Sequence, residues 1–427
     1  MRPTWRPRPP VTAYALRVTS HGPGATSAAP APRPLKGGAG IAVAVIGMNV
    51  TTYAFTMLAA RRLGPSSYGA FAAVMSLLLV LSVASLALQA TAARRVSQTP
   101  ADQPRIAADV LRTSTLTAYA LGLAFLLLAP AIDPLLRLDD LRIAVLVAVA
   151  VVPMTVMGGQ AGVLQGERRW GPLALLYVAA GAPRLLLGGA LLFWEPTEFA
   201  AVLGVTVTAF APVLVGWWAL RADAPGRTLR RPDREIVRET VRNSQALLAF
   251  FALSNLDIVV ARQVLDPHDS GLYAAGLILT KAMLFLPQFV VVLAFPSMAS
   301  GQRRLALLRG IGVIAVLGLL GVAGCLALPD FTLGFVGGPH FVGVRDDLWA
   351  FALLGTVLSA LQLLIYAALS RPHHTSSLVL WIGLVAMIGV AATASTAGGL
   401  VARVSVVDTL LLLVLLVRGA LPSARRR

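Results

Sequence analysis

The chain has 427 residues, 57% of them hydrophobic and only 13% charged, with a mean hydropathy of +0.77. Water could not solvate so apolar a surface, which excludes a soluble globular enzyme. The net charge of +17 would suit a nucleic-acid partner, but the basic residues fall in short gaps between long apolar runs, which points to orientation in a membrane and to no nucleic acid.

In chain order, residues 1–36 are rich in Pro, Arg, Ala and Ser and hold no apolar stretch long enough for a signal-peptide core; they are expected to form a disordered cytoplasmic tail. Twelve windows then reach the ~20 apolar residues needed to cross a core of roughly 30 Å. They lie near 37–60, 69–93, 108–130, 141–163, 172–194, 198–220, 243–264, 271–299, 305–328, 346–369, 375–395 and 398–418. The expectation is an all-α integral membrane protein of about twelve transmembrane helices.

Loop charge tests that count, because one missed or invented span would scramble the alternation. With the first tail inside, 27 basic residues fall on the cytoplasmic side and six on the outer side (Arg61, Arg62, Arg137, Arg142, Arg262 and Arg345). Arg184, Lys281 and Arg403 lie within spans and complete the 36. Both termini are therefore expected in the cytoplasm, including a basic tail at 419–427. Connections are short, the longest being 221–242 and 329–347.

The basic linker 221–242 falls midway and separates two six-helix lobes, 37–220 and 243–418. The lobes echo one another: Leu63-Gly64-Pro65-Ser66-Ser67-Tyr68-Gly69-Ala70-Phe71 aligns without gaps, at an offset of 202, with Leu265-Asp266-Pro267-His268-Asp269-Ser270-Gly271-Leu272-Tyr273. Six is even, so the lobes form a parallel pseudo-repeat with one membrane orientation, as in many alternating-access transporters.

The stretch Ala60-Arg61-Arg62-Leu63-Gly64-Pro65-Ser66-Ser67-Tyr68-Gly69-Ala70-Phe71 resembles the "ARxLGPxxYGxF" turn of polysaccharide-unit flippases, a family of the multidrug, oligosaccharidyl-lipid and polysaccharide exporter superfamily. Asn255-Leu256-Asp257, Ala261-Arg262, Pro267, Gly271-Leu272-Tyr273-Ala274-Ala275 and Lys281 are similar to that family's seventh and eighth helices. The resemblance implies two lobes around a central cavity and movement of a lipid-linked oligosaccharide or polysaccharide precursor across a bacterial inner membrane. It implies no catalytic residue.

Ionisable groups at bilayer depth are costly and mark functional candidates. Arg184 lies near the middle of the fifth span, behind Pro183, and suits a diphosphate in a watery cavity or a helix tie. Asp257 and Lys281 lie ten residues before and fourteen after Pro267, so their depths differ by only about 6 Å and they could pair. Asp408 sits mid-span in the last helix without an evident partner, and with Asp257 it is a candidate for proton or cation coupling. Arg403 lies nearer the outer end and is expected to snorkel.

Polar stripes at helical spacing (Asn49, Thr52 and Thr56; Ser82, Ser85 and Gln89; Lys281 and Gln288; Ser359, Gln362 and Tyr366) either line a cavity or bond neighbouring helices. The substrate-cavity candidates are thus Arg184, Lys281, Asp257, Asn255, Asn49, Gln89, Gln288 and Gln362. Gly158-Gly159 and Gly188-Gly189 are expected to permit close helix packing.

No phosphate-loop or paired metal-ligand motif occurs in the sequence, so neither ATP hydrolysis nor a cofactor is expected. His373-His374 reads as a solvated turn. The expected partners are a lipid-linked glycan, membrane lipids, a coupling cation or proton, and other glycan-assembly membrane proteins. Competing readings are an ion-coupled drug or small-solute exporter, a membrane-embedded glycan polymerase or ligase, and a non-transporting scaffold.

Overall fold

A computed structural model describes residues 36–98, 102–221, 234–284, 303–369 and 375–420. Those residues are almost entirely helical, and nine continuous or merged helices are long and apolar enough to cross a membrane. The longest, α1 (Lys36–Gln98), holds two crossings, for its backbone breaks at Gly64, where φ is +70°. Glycine fits there because it alone adopts that conformation without strain.

The remaining crossings of the first half are α2 (Gln103–Leu136) and α3 (Leu141–Gly166), then α4 (Trp170–Pro183) with α5 (Gly189–Trp194), and α6 (Glu198–Thr208) with α7 (Phe210–Leu220). In the second half, α8 (Arg234–Leu253) and α9 (Asp257–Val264) make one crossing, and α10 (Pro267–Met283) falls in the next expected span, 271–299, of which residues 285–299 lie outside the described residues. The last four are α11 (Arg303–Ala327), α13 (Leu348–Leu369), α14 (Thr375–Ala391) and α15 (Ala397–Ala420). The twelve expected crossings are therefore all represented.

The lipid-facing surface follows from composition: Val43, Leu127, Leu186, Leu214, Val385 and Val417 are each well over a third exposed. Apolar side chains turned outward need hydrocarbon around them. Inside, small residues set the spacing. A Cβ on Gly158 would lie 2.3 Å from the Ser85 carbonyl, one on Gly162 would lie 2.6 Å from the Gln89 carbonyl, and one on Gly166 would lie 2.7 Å from Val96. Glycine at every fourth residue thus lets α3 lie directly on the second crossing of α1.

Three local features bear on the site. The seventh crossing is broken at Ser254-Asn255-Leu256. There Ser254 Oγ donates to the Phe250 carbonyl (2.9 Å) and Asn255 Nδ2 donates to the Phe251 carbonyl (2.9 Å), so side chains compete for the ladder. The fifth crossing contains a π-turn at Arg184–Gly188, directly after Pro183, whose missing N–H frees a carbonyl. The 329–347 connection folds into α12 (Pro329–Val336) and a 3₁₀ turn (Pro339–Asp347). Phe341 in that turn is fully buried and meets the Tyr68 ring edge-on, with centroids 5.9 Å apart.

Candidate functional site

The two halves meet along the crossings that flank the repeated turns. Tyr53 donates its hydroxyl hydrogen to the Ile278 carbonyl across the halves, at 2.6 Å. Adding 202 to Tyr53 gives Asn255, and subtracting 202 from Ile278 gives Ser76. At that second, repeat-equivalent position the Lys281 ammonium stands between the two partners. It donates to Ser76 Oγ at 3.1 Å and to Asn255 Oδ1 at 3.0 Å. Ser76 and Asn255 are buried and Lys281 is half-buried.

The expected Asp257–Lys281 pairing is not made directly. Asp257 opens α9 and accepts from the Tyr273 hydroxyl at 2.7 Å, while its other oxygen has no hydrogen-bond partner among the described residues. The repeat gives this pair a counterpart, since Asp257 and Tyr273 correspond to Phe55 and Phe71, which pack edge-on with centroids 6.0 Å apart. The second half therefore carries a polar pair where the first carries an aromatic one. Asp408 on α15 is fully buried, and neither carboxyl oxygen has a partner among the described residues. Ionised carboxylates without partners are costly in a low-dielectric interior.

Arg184 opens the π-turn, is half-buried, and has an Nε without a hydrogen-bond partner among the described residues. Gly181, three residues before it, lies against Met48 and Thr51, and Gly188, four residues after it, lies against Phe55. Spacings of three and four put all three residues on one face, so Arg184 belongs to the stripe that packs on the first crossing. Gly188 also lies under Gly204, where a Cβ would come 2.7 Å from the Gly188 Cα. The glycines thus pack closely, as expected.

The other candidates divide. Gln89 Nε2 donates to Gln165 Oε1 at 3.1 Å and to the Tyr177 hydroxyl at 2.8 Å, a tie between helices. Ser359, on the stripe of Gln362, donates to the Met283 carbonyl at 2.7 Å and joins α13 to α10. Gln362 and Asn49 are half-buried. Gln288 and His373-His374 lie outside the described residues. Arg403 is bound to Thr393 Oγ1 at 3.0 Å.

Arg262, read from the sequence as an outer-loop charge, is buried and clamps the end of α2. Its Nε donates to the Leu136 carbonyl at 2.9 Å, one terminal nitrogen meets the Arg137 carbonyl, and the other meets Ser270 Oγ at 3.3 Å. Arg137 reciprocates onto the Gln263 carbonyl at 2.8 Å, and Gln263 Nε2 reaches the Leu135 carbonyl at 2.7 Å. At the opposite end of the same crossing, Glu239 receives both Arg94 and Arg95. Two concave surfaces among the described residues lie elsewhere, one along α11 from Arg309 to Leu317 and one lined by Asp140, Arg142, Glu195 and Glu198.

Sequence reasoning missed Ser76, Tyr53 and Tyr273. Carrying the 202-residue offset outward from the turn, in both directions, would have paired the first two with Ile278 and Asn255.

This arrangement of crossings is similar in fold to solved MATE transporters of the MOP superfamily. The chain is similar to an inward-facing multidrug resistance MATE family transporter of that superfamily, with 15% identity, a TM-score of 0.67, and coverage of 88% of this chain and 97% of the other. It is also similar to a MOP superfamily transporter from Pyrococcus furiosus (15% identity, TM-score 0.56, 90% and 94% covered). A third similar structure is the eukaryotic MATE transporter AtDTX14 (15% identity, TM-score 0.55, 90% and 95% covered). No curated protein matches the chain. The sequence profile described as "Polysaccharide biosynthesis protein" matches residues 35–302, well over half of the chain, and the chain belongs to that family.

Proposed function

We propose that this protein is a non-enzymatic, alternating-access flippase that carries a lipid-linked oligosaccharide or polysaccharide precursor across a bacterial inner membrane. The observation that carries the reading is Arg184: a guanidinium placed by a π-turn at mid-span, half-buried, with an Nε that no described residue satisfies. A planar, permanently charged group in that setting matches a diphosphate through paired hydrogen bonds. Membership of the polysaccharide biosynthesis family supports a glycan as cargo.

In this reading residues 37–220 rock against 243–418, with the 1–36 tail, the 221–242 linker and the 419–427 tail in the cytoplasm. Arg184 and Lys281 hold the anionic headgroup, and Asn255, Asn49 and Gln362 lie along its route. Asp257 and Asp408 exchange a proton or bind a cation during the cycle. Two similar structures are described as multidrug resistance transporters, which makes export of a small solute the second reading; the two cationic candidates Arg184 and Lys281 favour an anion as cargo.

The test is the leaflet that holds lipid-linked glycan in cells lacking the protein, complemented with wild type or Arg184→Ala at equal expression. Accumulation on the cytoplasmic leaflet, relieved by wild type but not by the variant, supports the reading. Normal outward delivery without the protein, in a strain with no second flippase, overturns it.

A further inference from the structure

The interface between the halves contains two ties related by the 202-residue repeat, and they differ in kind. Tyr53 to the Ile278 carbonyl is a direct hydrogen bond of 2.6 Å between a hydroxyl and a backbone group. At the equivalent place, Ser76 and Asn255 are joined through the Lys281 ammonium, at 3.1 and 3.0 Å. A charge has been inserted into one member of a symmetric pair. The position equivalent to Lys281 in the first half is Leu79, so nothing in the repeat itself calls for a cation.

Both partners of that cation are neutral. An ammonium carries three N–H donors, and Ser76 and Asn255 occupy two of them; among the described residues no carboxylate stands within ion-pair distance of the nitrogen. Asp257, two residues from Asn255, is instead engaged by Tyr273. A half-buried charge whose direct partners are neutral dipoles, and which Asp257 attracts only through space, gains from an anion bound directly to it. Ser76 belongs to the first half, whereas Asn255 and Lys281 belong to the second. Any anion that draws Lys281 away from Ser76 therefore also unties the halves at that point.

We propose that Lys281 is the positioning residue that couples anion binding to separation of the two halves: it latches them through Ser76 when the site is empty and releases Ser76 when an anionic headgroup takes its place. Tyr53–Ile278 has no charge to trade and remains as the pivot. The inference rests on the anionic-substrate reading above and adds its regulation. The anion class is a phosphate or diphosphate ester, the chemistry that a lipid carrier headgroup and free pyrophosphate share.

The experiment uses the full-length protein in lipid nanodiscs, with Cys325→Ala and spin labels at Glu195→Cys and Val342→Cys, both exposed residues at the turn side of opposite halves. Inter-label distances are recorded with and without inorganic pyrophosphate, and separately with a polyprenyl diphosphate. The latch predicts that either anion moves the wild-type distribution toward longer distances. Lys281→Met should populate the longer distances without ligand and raise the half-maximal pyrophosphate concentration at least tenfold. Ser76→Ala should also populate them without ligand, yet keep the half-maximal concentration within about threefold of wild type, since the ammonium remains.

Monodisperse variants whose distributions and anion response both match wild type overturn the latch. Variants that shift the distribution while neither anion moves wild type overturn the coupling to anions. A response to the polyprenyl diphosphate alone assigns the trigger to the lipid headgroup. The leaflet assay above reads the flippase reading separately: wild-type glycan delivery by Lys281→Met sinks the latch and leaves that reading standing.

Discussion

Gly69 and Gly271 are separated by 202 residues and lie against one another: a Cβ on Gly69 would come 3.1 Å from the Gly271 Cα. They occupy the same position in the two repeated turns, so residues equivalent in sequence meet where the halves cross, as residues beside a two-fold axis do. Gly271 is the more constrained, because a Cβ there would lie 1.9 Å from the Pro65 carbonyl oxygen. That oxygen is backbone and cannot swing aside. Gly271→Ala should destabilise the protein by about 1–3 kcal/mol through overpacking, read as a lower melting temperature in detergent. Gly69→Ala should cost less, and Gly47→Ala, with nothing within 4 Å, should be neutral. Equal melting temperatures for all three would show that the halves do not meet at these glycines.

The polar pair Asp257–Tyr273 has an apolar twin in Phe55–Phe71, and the twin predicts what the site tolerates. Removing only the hydroxyl with Tyr273→Phe strips Asp257 of the partner at 2.7 Å. A buried acceptor left without its donor costs roughly 1–3 kcal/mol. Adding Asp257→Leu removes the orphan and returns the site to the chemistry of its twin. The double variant should therefore recover most of the lost thermal stability while failing to complement a deletion strain. Additive losses in the double variant would show that the two side chains do not act as a unit.

Much of this architecture was legible in the sequence, for physical reasons that also mark what was not. Apolar runs of span length and the alternation of loop charge report directly on the bilayer, so the crossings were readable. The breaks were harder. Pro183 announced a distortion at Arg184, but the break at Ser254-Asn255-Leu256 has neither proline nor glycine; it arises because two short polar side chains take carbonyls from the ladder, a choice that depends on what surrounds them. Depth arithmetic placed Asp257 and Lys281 at similar levels, which is true of any pair on a helical hairpin. It could not show that Tyr273 and Ser76 offer nearer partners. Arg262 misled as well, for a cation beside a loop is normally solvated, and only the carbonyl ends of α2 make this one structural.

Arg262 tests how firmly the seventh crossing is held to the third. Its guanidinium serves the Leu136 and Arg137 carbonyls together with Ser270, a fork that a single ammonium cannot reproduce. Arg262→Lys should lower stability by about 1–3 kcal/mol, and Arg262→Ala should lower it further as the buried carbonyls lose their donors. Both variants should raise the reactivity of a cysteine introduced at Gln263 toward a membrane-impermeant thiol reagent, since Gln263 belongs to the same interlock. Unchanged reactivity in both would remove this interlock as a closure on that side.

Asp140 caps α3, accepting from the Arg142 amide at 2.9 Å and from its guanidinium at 3.0 Å. The Arg142 side chain holds the Asp140 carboxyl below its ordinary value of 3.8. A carboxyl whose pKa is depressed by folding contributes stability that is present above the unfolded value and fades as pH falls through the folded one. Asp140→Ala should cost about 0.5–2 kcal/mol at pH 7, mainly as a lost cap. Asp140→Asn keeps a neutral acceptor and should cost less. The gap between wild type and Asp140→Asn, followed by thermal unfolding across pH, should shrink as pH falls below 3.8 and through the lowered folded value; a gap that does not narrow on acidification would mean the ion pair is not its source.

Arg184 separates a substrate contact from a helix tie. A tie needs a cation of roughly the right length, so Arg184→Lys would keep both fold and function, and Arg184→Ala would melt early. A diphosphate contact needs the planar fork, so Arg184→Lys should lose most activity while melting near wild type. The unsatisfied Nε among the described residues favours the second pattern. Losing one charged hydrogen-bonding partner of a bound anion typically costs about 2–4 kcal/mol in a water-poor site, or roughly 30- to 1000-fold in affinity. Binding of a polyprenyl diphosphate to purified wild type, Arg184→Lys and Arg184→Ala, measured beside their melting temperatures, decides between them. Tight binding by Arg184→Ala would move the headgroup contact away from the fifth crossing and leave Lys281 as the cation to test next.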